Sequence, residues 1–181
     1  LSKVIFSILI FTLSTILNAA PEFNKIWETN AAFKLPESVI YDKENEILYV
    51  SNMQDDPFKK DKNGFISKVD LNGKILKLKW IKGLNAPKGL AISKGKLYVG
   101  DVDQLVEIDI KKGKIIKKHD AIGAALLNDV AADTKGNIYV SDTFTDTIYR
   151  LNTFGQLTKW LYSPELQAPN GLHYEKGQLI V

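Results

Sequence analysis

Four polar residues recur at matching places along this 181-residue chain, each just before a short apolar segment. They are Glu37, Lys88, Asn128 and Asn170. Carboxylate and carboxamide oxygens that converge from separate segments are the ligands that a hard divalent cation such as calcium prefers. Glu37, Asn128 and Asn170 are therefore candidate metal ligands. They are equally consistent with turn caps, because such side chains also bond their own backbone in turns.

The segments around these residues repeat one pattern. Residues 127–142 contain a loop, an apolar strand, a polar turn with glycine and a second apolar strand, and the pattern returns at 36–52, 87–101 and 169–181. The equivalent positions Tyr49, Tyr98, Tyr139 and Ile180 are 41 to 49 residues apart. A period of about 40–45 residues with several short strands is typical of β-propeller blades. The sequence thus predicts an all-β fold.

The repeat also predicts how the chain is divided. We expect one propeller domain over residues 21–181, with blades at about 36–83, 84–125 and 126–163 and an incomplete blade at 164–181. About three and a half blades cannot close a ring of four to eight, so the sequence predicts a propeller fragment with two to three further blades elsewhere. Residues 21–34 are interpreted as an outer strand of a closing blade, and Trp80 and Trp160 as inter-blade packing.

Composition and the first twenty residues bear on location and partners. Apolar residues make up 45% and charged residues 25% of the chain, and the net charge is +3 with Arg150 as the only arginine. A lysine-only surface favours solubility over nucleic-acid recognition. Residues 1–20 resemble a secretory signal peptide and are too short for a comfortable membrane span, although an uncleaved anchor remains the alternative. We expect a periplasmic or secreted protein without disulfides, since it has no cysteine.

Polar residues elsewhere in the chain are weaker candidates for metal ligands. Residues 53–64 form an insertion rich in Asp and Asn that lacks EF-hand spacing, so a solvated loop over one mouth of the ring is favoured over a calcium loop. The only histidines are His119 and His173. His119 lies in a lysine-rich outer stretch and is predicted at the surface. His173 is on an inner strand and is interpreted as a packed or channel-wall residue.

Three motifs together resemble the regucalcin/gluconolactonase (senescence-marker-protein-like) family. Residues 35–42 look like its opening glutamate motif, residues 127–137 like its Asn-Asp stretch and residues 168–172 like its Pro-Asn-Gly-Leu motif. The resemblance implies a six-bladed propeller, calcium or another divalent ion held by Glu37, Asn128 and Asn170, and hydrolysis of sugar lactones. It also implies a catalytic carboxylate beyond Val181 and substrate contacts by Asn128 and Asp146.

The sequence departs from that family at informative places. Leu126 stands where the family has a sugar-binding arginine, which makes a hydroxyl-rich lactone a poor fit. Lys88 adds an ammonium among the ligand positions, where it points away, meets a substrate anion or weakens cation binding. Two functions follow: a metal-dependent lactonase or esterase acting on a small molecule, and a non-catalytic propeller that binds a small ligand or a protein partner.

Overall fold

The computed structural model describes residues 24–29 and 31–181, which fold into short antiparallel strands. Three four-stranded sheets follow one another and a two-stranded hairpin comes last. The first sheet contains β1 (Pro36–Asp42), β2 (Ile47–Asn52), β3 (Gly64–Val69) and β4 (Ile75–Leu84). The second contains β5 (Pro87–Ser93), β6 (Lys96–Asp101), β7 (Gln104–Asp109) and β8 (Lys114–Asp120). The third contains β9 (Leu127–Ala132), β10 (Ile138–Asp142), β11 (Thr147–Leu151) and β12 (Leu157–Tyr162), and the hairpin contains β13 (His173–Glu175) and β14 (Gln178–Ile180).

Within each sheet the strands lie in chain order, because short turns join them. The turn between β3 and β4 shows how the sequence fixes such a connection. Asp70 accepts hydrogen bonds from the backbone N–H groups of Asn72 and Lys74, both at 2.9 Å. Gly73 takes a positive φ of 81°, which glycine adopts without a steric penalty. Polar turn residues therefore set the hairpins, and period-two apolar residues set the faces.

The apolar core lies between the sheets rather than in one central mass. One cluster joins the first and second sheets around Tyr49, Leu97 and Val106. A second joins the second and third sheets around Leu105 and Leu127, and a smaller one joins the third sheet to the hairpin. Each sheet is covered only by its neighbours, which is how propeller blades bury their faces.

The described part of the segment before β1 does not show the predicted strand. Residues 24–29 contain no strand, and the Trp27 ring lies so close to Gly73 that a Cβ there would be 2.5 Å from it. The interpretation of residues 21–34 as an outer strand of a closing blade is therefore not confirmed and stays a prediction. Trp80 behaves as expected, since it packs against the cluster shared by the first two sheets and stacks on Tyr49 at 4.8 Å. Trp160 instead meets Tyr139 of its own sheet, edge to face at 5.0 Å.

The predicted signal peptide, residues 1–20, lies outside the described residues. Among residues 24–29 and 31–181, no helix has the length and apolar character needed to cross a bilayer. The helical segment that the structure records there is the short 3₁₀ turn Pro164–Leu166, which leads from the third sheet toward the hairpin.

Candidate functional site at the mouth of the blades

A β-bulge recurs at the start of the inner strand in all three complete sheets. In each case two residues of the first strand face one residue of the second, as the pairing positions show. The bulged pairs are Glu37 and Ser38 in the first sheet, Lys88 and Gly89 in the second, and Asn128 and Asp129 in the third. Bulges often redirect a side chain near functional sites. Glu37, Lys88 and Asn128 therefore occupy one equivalent position, which we call the mouth position.

Glu37 is the exposed member of this set. Its carboxylate accepts a hydrogen bond from the Ser38 hydroxyl at 2.6 Å. The Ser38 N–H in turn donates to the Ser51 hydroxyl at 2.9 Å, which fixes the bulge against β2. The Glu37 side chain borders a cleft of about 330 Å³ that Trp27 and Phe33 also line. Glu37 thus presents an accessible carboxylate on a backbone that β2 holds in place.

Lys88 is only 4% exposed. Its ammonium donates to the Pro57 carbonyl at 2.7 Å and to the Ala86 carbonyl at 3.2 Å. Burial lowers the pKa of Lys88, and the negative charges of Glu37, Asp101 and Asp56 partly offset that effect. The ammonium therefore lies within electrostatic range of Glu37 and is held by the backbone of the insertion.

Asn128 is buried at 8% exposure, yet its Oδ1 atom has no hydrogen-bond partner among the described residues. Its position is tightly set by glycines of the second sheet. A Cβ at Gly89 or at Gly100 would come within 2.8 Å of the Asn128 carbonyl oxygen. A buried polar atom without a partner costs free energy of about 1–3 kcal/mol. The Asn128 backbone is therefore closely packed against the second sheet, and its side chain carries an oxygen acceptor that no described residue uses.

Asn170 precedes the hairpin and has an exposed side chain. Its backbone is held by the third sheet, because the Ser141 hydroxyl donates to the Asn170 carbonyl at 2.7 Å. Two further bonds join the same segments: the Thr143 hydroxyl donates to the Pro169 carbonyl at 2.9 Å, and the Leu172 N–H donates to the Asp129 carboxylate at 2.7 Å. The third sheet thus places Asn170 beside the mouth end of β9 and β10.

Asp146 was predicted to contact substrate. In the structure its backbone has a positive φ of 46°, and its carboxylate accepts a hydrogen bond from the Ala168 N–H at 2.7 Å. Its carbonyl also accepts from the Ser163 N–H at 3.1 Å. These bonds shape the loop that leads to Asn170. Asp146 therefore has a clear structural task next to the mouth.

Two aspartates at the mouth end, Asp101 and Asp142, have an importance in the fold that their sequence context alone does not reveal. Asp101 ends β6 and Asp142 ends β10, and both are fully buried. Asp101 accepts from the N–H groups of Asn85 and Ala86, and Asp142 accepts from those of Ala125 and Leu126. Burial raises the pKa of Asp101, although the backbone hydrogen bonds oppose it. Each carboxylate ties down the loop before the inner strand of its own sheet, β5 for Asp101 and β9 for Asp142. Their equivalent places in the repeat were the available signal.

The structure contradicts the prediction for His119 and agrees with the interpretation of His173. The prediction that His119 lies at the surface is wrong, because it is 6% exposed and its Nε2 is 3.0 Å from the Glu107 carboxylate, which also pairs with Lys96. The register of β7 and β8 turns this side chain inward. His173 is exposed and lines a cleft of about 350 Å³ that residues of β1, β5, β9 and β13 share. That place agrees with the interpretation of a channel-wall histidine.

The acidic insertion uses its polar groups on itself. The Asn63 amide donates to Asp55 at 3.2 Å and to Asp61 at 2.9 Å, and the Phe58 N–H donates to Asp56 at 2.8 Å. No group of three His, Cys, Asp or Glu side chains suited to a metal lies within the described ranges. A cation site among the described residues would therefore need amide oxygens as well as carboxylates. Asn128 and Asn170 provide such oxygens at the mouth.

The sheets, their order and their inter-sheet cores define a β-propeller, and the prediction of a propeller fragment is confirmed by solved structures. A catalytically inactive virginiamycin B lyase from Staphylococcus aureus, crystallised with quinupristin, matches with 16% identity and a TM-score of 0.59, over 76% of this chain and 44% of that one. A streptogramin B lyase matches with 13% identity and a TM-score of 0.62, over 79% and 46%. A gluconolactonase from Xanthomonas campestris matches with 15% identity and a TM-score of 0.60, over 80% and 52%.

This chain therefore spans about half the length of these structures or less. At such identities the likeness shows the fold alone. No protein-family model and no curated protein sequence matches the chain.

Proposed function

We propose that this chain is part of an exported propeller hydrolase of the lactonase or esterase type that uses a divalent cation, calcium above all. The observation that carries the proposal is the unused Oδ1 atom of buried Asn128 at the mouth position. A buried amide oxygen without a donor supports the proposal, because calcium binds through such neutral oxygens. The other residues fit the same group, since Glu37 is exposed and charged and the Asn170 side chain is exposed nearby.

The proposed division of roles follows from these placements. Glu37 would supply the negative charge, and Asn128 and Asn170 would supply neutral oxygens that orient the group without excess charge. A bound divalent cation polarises a substrate carbonyl and stabilises the oxyanion that forms on it. Lys88 would add fixed positive charge at the mouth, and its two carbonyl contacts restrict its movement. The general base is not assigned to any described residue.

The test uses the full-length protein that contains this sequence. We expect Glu37→Gln to abolish calcium binding in a calorimetric titration and to abolish lactone hydrolysis in the same preparation. Glu44→Gln is the matched control, because Glu44 is an exposed glutamate in the turn at the opposite end of β1. If Glu37→Gln keeps both calcium affinity and turnover, Glu37 does not belong to the site and the proposal falls.

Lys88 supports a second candidate, a non-catalytic propeller that binds a ligand. Its buried ammonium already places a positive charge near Glu37, Asp56 and Asp101, where a metal would otherwise neutralise them. This alternative predicts saturable ligand binding that a chelator does not change, and no turnover across a lactone panel with added calcium. Chelator-sensitive turnover would decide against it.

A further inference from the structure

The insertion between β2 and β3 is fixed in place over the second sheet. Its Pro57 carbonyl accepts from Lys88, and its Lys60 ammonium pairs with Asp103 in the β6–β7 turn at 2.5 Å. Underneath, Met53 packs against Ala86 and Val102, which belong to the second sheet's mouth end. Three independent contacts therefore hold this loop against a neighbouring blade, although it belongs to the first.

The insertion reaches a loop of the third sheet through an aromatic pair. The rings of Phe58 and Phe144 are stacked with centroids 6.0 Å apart and an interplanar angle of 24°. Phe58 follows the insertion residue that Lys88 holds, and Phe144 lies between β10 and β11. The pair thus bridges the first and third blades across the second. We call it the aromatic ledge.

The aromatic ledge lies at the same end of the blades as the candidate ligands. Thr143, the neighbour of Phe144, donates its N–H to the Leu126 carbonyl at 3.0 Å and its hydroxyl to the Pro169 carbonyl at 2.9 Å. Those carbonyls lie one or two residues from Asn128 and Asn170. Phe58 adjoins Pro57, whose carbonyl contacts the mouth residue Lys88. Both rings therefore border the mouth.

Both rings are largely exposed, although the loops that carry them are held in place. Phe58 is 55% and Phe144 is 62% exposed, although their loops are tied down by Lys88, Asp103 and Leu126. Large exposed aromatic surface is unfavourable in water, and two preorganised rings offer a flat apolar platform with little ordering cost.

We propose that the aromatic ledge determines substrate class: it binds the apolar, preferably aryl, part of a lactone or ester whose carbonyl reaches the mouth position. This inference rests on the proposed hydrolase. It assigns Phe58 and Phe144 to specificity and not to the chemical step. A polyhydroxylated sugar lactone gains little from this surface, because its hydroxyls would lose water without finding partners.

The experiment compares dihydrocoumarin, an aryl lactone, with γ-butyrolactone, which has no aryl group, in the full-length protein. We expect the double variant Phe58→Ala/Phe144→Ala to lower kcat/KM for dihydrocoumarin about tenfold and to leave γ-butyrolactone unchanged, because stacking on each ring contributes only modestly. Phe154→Ala is the matched control, since Phe154 is an 89% exposed phenylalanine in the β11–β12 turn at the opposite end. Phe58→Leu/Phe144→Leu retains apolar volume and should show part of the loss.

A binding measurement separates this inference from the hydrolase proposal. Dihydroquinolinone, the lactam analogue of dihydrocoumarin, should bind the unaltered protein and lose about tenfold in affinity in the double alanine variant. If no lactone is turned over but lactam binding still depends on the two rings, the ledge stands and the hydrolase falls. Equal losses for both lactones, no loss for either, or no lactam binding overturns the ledge.

Discussion

The two ends of the inner strand β9 carry polar side chains that are about equally buried but differ in their hydrogen bonds. Asp133 follows the strand at 9% exposure, and Asn128 lies near its start at 8% exposure. The Asp133 carboxylate accepts bonds from the N–H groups of Lys135, Gly136 and Asn137, the Asn137 amide and the Tyr139 hydroxyl. The Asn128 Oδ1 accepts none among the described residues. One end completes the fold, and the other keeps an acceptor that no described residue uses.

The same contrast holds between sheets. Asp42 of the first sheet repeats the Asp133 arrangement, with bonds from Glu44, Asn45 and Tyr49. The mouth positions, by contrast, differ in charge, burial and partners from one sheet to the next. A structural role repeats with the fold that needs it, whereas residues that share one ligand take complementary parts. The difference therefore supports our proposal that the mouth is the functional end.

The largest effect on stability is expected from a substitution at Asp133, the structural end of β9. Asp133→Ala leaves three backbone donors, an amide and a hydroxyl without their acceptor, and should lower the free energy of unfolding by about 2–3 kcal/mol. Urea denaturation of the full-length protein measures it. Asp133→Asn, which keeps an acceptor oxygen, should lose less, and calcium affinity of the folded protein should stay unchanged. An alanine variant as stable as the parent would remove the distinction between the two ends.

A substitution at Asn128, at the mouth end, should change calcium affinity much more than stability. Asn128→Ala removes an oxygen without a partner, so we expect a change in unfolding free energy below about 1 kcal/mol and a loss in calcium affinity of about tenfold or more. Asn52→Ala is the matched buried control, because the Asn52 amide bonds Lys34, Val50 and Ser67. It should lose stability and keep calcium affinity. The comparison fails if Asn128→Ala behaves like Asn52→Ala.

The smallest effect is the loss of stability in acid that Asp133 should cause at the structural end of β9. Burial raises the pKa of Asp133, but hydrogen bonds from Asn137, Gly136 and Lys135 outweigh it and hold the pKa below its ordinary value of 3.8. The carboxylate is then stabilising above pH 3.8, and that share is lost as pH falls through the lower folded pKa. Urea midpoints at pH 5 and pH 2.5 should converge in Asp133→Asn relative to the parent. If the difference between the urea midpoints at pH 5 and pH 2.5 is the same in Asp133→Asn as in the parent, this assignment is wrong.

Much of the fold could be predicted because the repeat is local. Period-two apolar residues and Asx turns lie within a few residues of each other, so the strands and the equivalence of Glu37, Lys88 and Asn128 follow from spacing. The burial of His119 could not be predicted, because it depends on a diagonal pairing with Glu107 across β7 and β8. The contact between Phe58 and Phe144 joins residues 86 positions apart, which no short pattern encodes.

Within the site, the sequence could suggest which residue types meet but not how each is satisfied. The carbonyl partners of Lys88 come from the insertion and from the loop before β5, whose paths depend on packing. The unused oxygen of Asn128 is equally a product of the surrounding backbone, which offers that atom no donor. A turn cap and a ligand look the same in sequence, and only the partner atoms separate them.

The hydrogen bonds that join Ser141, Thr143 and Asp129 to residues 169–172 have a consequence for biosynthesis. They attach the leading strand of the fourth blade to the third before the fourth blade has its full sheet. A nascent polypeptide emerging amino end first can therefore grow its ring blade by blade, each finished blade serving as the template for the next. Assembly in that order leaves uncovered only the outward faces of the first and the most recent blade.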